Sequence, residues 1–135
     1  MEPKQLISLD KARELSENYN QTKARLHQKD MGKEDANAVW YSLEELENYI
    51  TYIKKQGVEK GYVIDGIRLY MGVYPKNEEH SRAGYTTIFL APTGGLKSAG
   101  QQRSATNTEG SPDILEINAM NFGSMGNPPK LKYGG

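Results

Sequence analysis

A chain of 135 residues is the size of one ordinary domain and can bury roughly two thirds of its unfolded surface, enough for a core without staples. The absence of Cys excludes disulfides, thiolate catalysis and cysteine-based zinc sites. Seventeen basic residues balance seventeen acidic ones, so the basic footprint of a protein whose main partner is a phosphate backbone is missing.

The first residues, Met1-Glu2-Pro3-Lys4-Gln5, carry no apolar h-region, and no run of about 18 apolar residues occurs anywhere. The expectation is a cytoplasmic protein with neither nucleic acid nor membrane as partner. Residues 8 to 28 read as one amphipathic helix, with Leu9, Ala12, Leu15, Tyr19, Thr22 and Leu26 on one face at spacings of three and four. Ser8 stands where an N-cap belongs. The stripe is thin, which predicts a helix lying on the core, with Tyr19 and Leu26 meeting another chain as the alternative. The charged run from Gln28 to Asp35 has no period and reads as a solvated loop. Its Asp30, Glu34 and Asp35 lack the order of a calcium loop.

Val39-Trp40-Tyr41 suits a short strand, being β-branched and aromatic. Ser42-Leu43-Glu44-Glu45 is a capping box: the Ser hydroxyl accepts from the Glu45 N–H while the Glu45 carboxylate returns to the Ser42 N–H. A long helix follows, with Leu43, Leu46, Ile50 and Ile53 facing the core beside Tyr49, and Gly57 or Gly61 ending it. The period then falls from 3.6 to 2. Ile67, Leu69, Met71 and Val73 alternate with Arg68, Tyr70, Gly72 and Tyr74, which predicts a half-buried strand with its aliphatic row inward. After a polar loop, residues 85 to 91 form a second strand, apolar on both faces as a central strand is, and Pro92 is expected to stop it.

Residues 93 to 110 are rich in Gly, Ser, Thr and Gln, with almost nothing to bury, and read as a mobile loop. Ser111-Pro112-Asp113 resembles a helix start, which predicts a short helix carrying Ile114, Leu115 and Ile117. Residues 121 to 135 are irregular, with Phe122 and Met125 expected to tuck back on the core. The fold class is therefore α+β over residues 1 to 135. A sheet of about three strands packs on a long central helix, with the core between residues 38 and 93.

The runs Val-Trp-Tyr-Ser-Leu-Glu-Glu-Leu-Glu-Asn-Tyr-Ile, Asp-Gly-Ile-Arg-Leu-Tyr-Met-Gly-Val-Tyr-Pro and Thr-Thr-Ile-Phe-Leu-Ala-Pro-Thr resemble a family of small uncharacterised bacterial proteins. The likeness covers residues 38 to 93, with an echo in the Asn-Pro-Pro ending. It implies a self-standing bacterial domain and supplies no catalytic residue.

Few residues propose chemistry. Gly94-Gly95-Leu96-Lys97-Ser98 follows a strand, but Leu96 separates Gly from Lys and no amphipathic helix follows, so a phosphate cradle is not expected. His27 and His80 stand far apart among charged residues, and no metal or cofactor is expected. Gly-x-Ser-x-Gly is absent. The one constellation is the strand face opposite the core. Asp65, Arg68, Tyr70 and Tyr74 share it, with Arg82 and Tyr85 arriving from the next strand. Arginine and several phenols form a binding composition, since large rigid rings give contact area at little entropic cost. The plain alternative is an exposed strand face with Arg68 paired to Asp65 or Glu116. Two function classes follow. The first is a non-enzymatic interaction module, binding a second copy or a partner protein through Arg68, Tyr70, Tyr74, Arg82 and Tyr85. The alternative is a domain that holds a small anionic ligand on the same face, with the Gly/Ser-rich loop closing over it. An enzyme ranks third, because no pair of groups reads as a tuned acid and base.

Overall fold

In a computed structural model of the chain, residues 2–76, 82–98, 110–124 and 131–133 are described. Among them the order is α1 Leu9–Gln21, α2 Lys23–Met31, α3 Leu43–Lys60, β1 Tyr62–Val73 and β2 Thr86–Leu96, with β1 and β2 an antiparallel pair. The chain divides into two compact units. One comprises Met1–Trp40, Val73–Thr87 and Ser124–Gly135, the other Tyr41–Gly72 and Ile88–Gly123.

In the first unit the Ser8 hydroxyl caps α1 by accepting from the Lys11 N–H at 3.1 Å. The single helix expected from 8 to 28 is two helices. At Thr22 (φ −114°, ψ −83°) the hydroxyl donates back to the Asn18 carbonyl at 2.6 Å, a bond that competes with the helix ladder and bends it. The face also differs from expectation. Leu9, Leu15 and Leu26 are exposed, while Asn20 and Ala24 are buried. Asn20 accepts from the Asn37 amide at 2.9 Å, and Asn37 in turn exchanges hydrogen bonds with the backbone of Leu131. Polar and small residues seat this helix, not the leucine stripe. Residues 39–41 form no strand: Trp40 makes an isolated antiparallel bridge with Ser124.

The second unit holds a hydrophobic cluster. The capping box forms as the sequence predicts, with Glu45 N–H to Ser42 Oγ at 2.9 Å and Ser42 N–H to Glu45 Oε1 at 3.3 Å. Gly61, left-handed at φ 81°, closes α3. Gly57 sits inside the helix and faces β1, where a Cβ would stand 2.7 Å from the Ile64 side chain. Tyr49 and Ile53 join Leu90, Ile114 and Ile117 in the cluster, and Leu46, Tyr62, Ile64, Ile67 and Ile88 pack around them. The core face of α3 is therefore Leu46, Tyr49, Ile53 and Gly57, while Leu43 and Ile50 point outward, contrary to expectation. The Tyr49 hydroxyl lies 3.1 Å from the Leu90 carbonyl and 2.9 Å from that of Asn118, and burial pushes its pKa up to about 12.

β1 begins directly after Gly61. Ile64 and Ile67 both reach the cluster although they stand an odd number of positions apart, so strict alternation fails around Gly66. Beyond it the aliphatic row does not lean on α3: Leu69 is 59% exposed and Met71 81%, with Val73 exposed as well. β2 continues through Pro92, which was expected to stop it, to Leu96. Proline's missing N–H is tolerated because the Pro92 carbonyl still accepts from the Ile114 N–H at 3.0 Å. The helix expected after Ser111 is absent. The segment runs beside β2 instead, in antiparallel bridges of Thr93 with Asp113 and Leu90 with Met120. β2 is thus flanked on both sides, which accounts for its burial. Ile114 and Ile117 anchor the segment, whereas Leu115 and Phe122 face solvent. Met125 and most of the loop expected from 93 to 110 lie outside the described residues.

Ile53 is 2% exposed and Ile50 39%, so alanine substitutions discriminate the register of α3. Ile53→Ala is expected to cost about 2–5 kcal/mol in urea unfolding, and Ile50→Ala about 1 kcal/mol or less. Equal losses would mean that the helix is rotated.

Candidate functional site

The Arg/Tyr face of β1 is occupied from within the chain. Because Gly94 N–H donates to the Pro112 carbonyl at 3.1 Å and Ile114 is buried, residues 111–113 are held in extended form against β2. That places the Asp113 carboxylate on β1. Arg68 donates to Asp113 Oδ1 at 2.5 Å and to the Ser111 carbonyl at 2.9 Å. The Tyr70 hydroxyl donates to Asp113 Oδ2, and its ring stacks on Phe89 with centroids 5.1 Å apart. Asp65 accepts from the Thr93 hydroxyl at 2.7 Å and from the Ser111 hydroxyl. Arg68 therefore pairs with Asp113, which the sequence placed in a helix.

The electrostatics follow from these contacts. The hydrogen bond from Tyr70, then the hydrogen bond and charge of Arg68, hold the Asp113 carboxyl below its ordinary value of 3.8. The same hydrogen bond to Asp113 raises the Tyr70 phenol above its ordinary 10.0, with burial adding to it. Each group stabilises the other's charge or proton. The result is a clamp, with the Arg68 guanidinium engaged on carboxylate and carbonyl and the Tyr70 proton held by Asp113.

The remaining predicted residues belong to the other unit. Tyr74 is 7% exposed, which corrects the expectation of an open phenol. Its hydroxyl accepts from Arg82 at 3.3 Å and from the Thr87 hydroxyl at 3.3 Å. Tyr85 carries the Lys33 ammonium 4.3 Å from its ring centroid. The structure thus joins Arg68 with Tyr70, and Tyr74 with Arg82, each through partners that the pattern of the strands did not announce.

No family model matches the chain. No curated protein and no solved structure matches it either. Function has to be argued from the geometry.

Sequence reasoning missed Asp35, read as part of a solvated loop. It is buried at 1% exposure and accepts from Ala36 N–H and Thr86 N–H, both at 2.8 Å, and from the Thr86 hydroxyl at 2.5 Å. His27 Nε2 lies 2.6 Å from the Gly84 carbonyl and 3.9 Å from Asp35 Oδ1. The partners are about fifty residues away, and no local pattern distinguishes this aspartate from Asp30, whose exposed carboxylate meets Lys76 at 2.8 Å. Among the described residues no three His, Asp or Glu side chains converge as metal ligands would, and no helix is long and apolar enough to cross a membrane.

Asp113 has a depressed folded pKa, so its stabilisation is complete above the ordinary carboxyl value of 3.8 and is lost as pH falls below it through the folded value. Asp113→Asn is expected to lower the urea midpoint near neutral pH and to flatten the acid limb of stability against pH. Urea titrations of both proteins at a series of pH values check this. Equal midpoints at neutrality would mean that the clamp contributes nothing.

Proposed function

We propose that this chain is a non-enzymatic interaction domain that associates with a second copy of itself, and that the contact runs along the outer side of β1. The observation that carries the reading is the pair Leu69 and Met71, apolar and well exposed on a strand that pairs with β2 alone among the described residues. Edge strands are ordinarily guarded by charge, proline or a covering segment. Residues 69–72 are Leu-Tyr-Met-Gly and offer none of the first two. A second β1 laid antiparallel against this stretch would pair backbone groups and set the two apolar rows together, the self-complementary contact of a two-fold dimer. It would also add a strand on the open side of the β1–β2 pair.

This moves the interface away from the Arg68, Tyr70, Tyr74, Arg82 and Tyr85 surface while keeping the class of function. The clamp on Asp113 argues for the move, because a side chain already engaged inside its own unit has little left to offer a partner. The same argument weakens the reading in which Arg68 holds a small anion. We propose a cytoplasmic, self-standing bacterial domain, a reading that the resemblance across residues 38 to 93 supports.

Multi-angle light scattering over a concentration series tests the proposal. The wild type is expected to shift from monomer toward dimer as concentration rises. Met71→Glu, a change at an exposed position, is expected to weaken that dimer at least tenfold through charge repulsion across the two-fold, with unfolding unchanged. A protein monomeric at every concentration overturns the reading. So does a dimer that survives Met71→Glu but dissociates with Leu15→Glu on α1, which would assign the contact to the exposed leucines of that helix.

A further inference from the structure

At the C-terminal end of α3 lies an open groove of about 410 Å³, within the range of roughly 300–1,000 Å³ typical of small-molecule sites. Its origin is local. Lys54 and Val58 are one helical turn apart and project on the same side of α3. Gly61 has no side chain to fill the corner where the helix turns into β1. Val63 and Ile64 supply the next stretch of wall. Lys97 is fixed at the rim because its N–H donates to the Gly61 carbonyl at 2.8 Å. Tyr62 also lines the groove, its hydroxyl tied to Glu116, a hydrogen bond that raises the phenol's pKa.

Two features of this groove are unaccounted for by the fold. Val58 is 80% exposed, the middle of an apolar floor left in water. At either side stands a lysine, and among the described residues neither ammonium takes part in an ion pair. The helix C-terminus brings a partial negative charge of about half a unit, which two full positive charges outweigh. The chain that follows, residues 99–109, is Ala-Gly-Gln-Gln-Arg-Ser-Ala-Thr-Asn-Thr-Glu and has no large apolar side chain suited to that floor.

The geometry points to a binding site for a small amphipathic carboxylate: an alkyl chain lies along Val58, Val63 and Ile64 while the carboxylate meets Lys54 and Lys97. A phosphorylated ligand fits less well, since the floor is apolar and among the described residues no α-helix N-terminus lines the groove. A neutral lipid would use the floor and waste both charges. The site is separate from the β1 stretch proposed for self-association and stands whether or not that contact exists.

The test is an amide chemical-shift titration of the full chain, kept dilute, with decanoate, decanol and decyltrimethylammonium below their aggregation limits. Decanoate is expected to shift the amides of Gly61, Tyr62, Val63, Ile64 and Lys97, decanol to bind at least tenfold more weakly, and the cationic amphiphile to leave these signals in place. The double variant Lys54→Glu, Lys97→Glu, both at exposed positions, is expected to lose decanoate binding by tenfold or more while retaining the wild-type spectrum elsewhere. If the double variant perturbs the fold, Lys54→Gln and Lys97→Gln singly are each expected to weaken decanoate severalfold. Equal affinity for decanoate and decanol overturns the proposal, as do shifts confined to other residues or no response up to the solubility limit. Shifts of the groove amides with protein concentration alone, without decanoate, would make a second copy the occupant and also overturn it.

Discussion

The double flanking of β2 is the constraint on which the second unit depends. With β1 along one side and Asp113 and Met120 bridging to the other, the strand has partners for its backbone on both sides and side chains buried on both faces. Burial of that kind carries β2 through Pro92, because a buried backbone must be paired and the Ile114 N–H serves the Pro92 carbonyl. The close fit also explains Gly94: any Cβ there would stand 2.0 Å from the Val63 carbonyl oxygen of the neighbouring strand. Once residues 111–120 run alongside β2, they are no longer available for a helix.

Short acidic side chains do the tying in both units. Asp113 and Asp65 hold the 111–113 segment to β1 and β2, and Asp35 holds Thr86. A carboxylate has two oxygens and accepts several hydrogen bonds at once, and a charged acceptor forms bonds about twice as strong as a neutral one. Burial penalises that charge, which is why Asp35 at 1% exposure is supplied with donors from two amides and a hydroxyl. Arg68 and Tyr70, which look like part of a recognition surface, are engaged in this structural work. Their polarity secures the chain to itself.

Several apolar side chains are left facing water. Leu69 and Met71 on β1, Leu43 and Val58 on α3, and Leu9 and Leu15 on α1 all remain exposed. Single exposed apolar residues are ordinary in folded proteins, so each by itself means little. Leu69 and Met71 gain weight because they stand on a strand flanked on one side only among the described residues. Val58 gains it because lysines frame the hollow around it. Both functional readings rest on context of that kind and not on hydrophobicity alone.

From residue order alone came the features whose causes are local. The Ser42–Glu45 capping box, the Ser8 cap and the Gly61 stop follow from bonds spanning three or four residues. The apolar pattern of both faces of β2 marked it as an interior strand. Tertiary structure decided the rest. A two-residue period states that Leu69 and Tyr70 lie on opposite faces, but which face is covered depends on where Asp113 comes to rest, forty-three residues further along the chain. A Ser-Pro-Asp run is compatible with a helix start or with an extended clamp, and only the open side of β2 selects between them. The burial of Asp35 has the same origin. It answers to Thr86, far along the chain, and a local pattern contains no record of it.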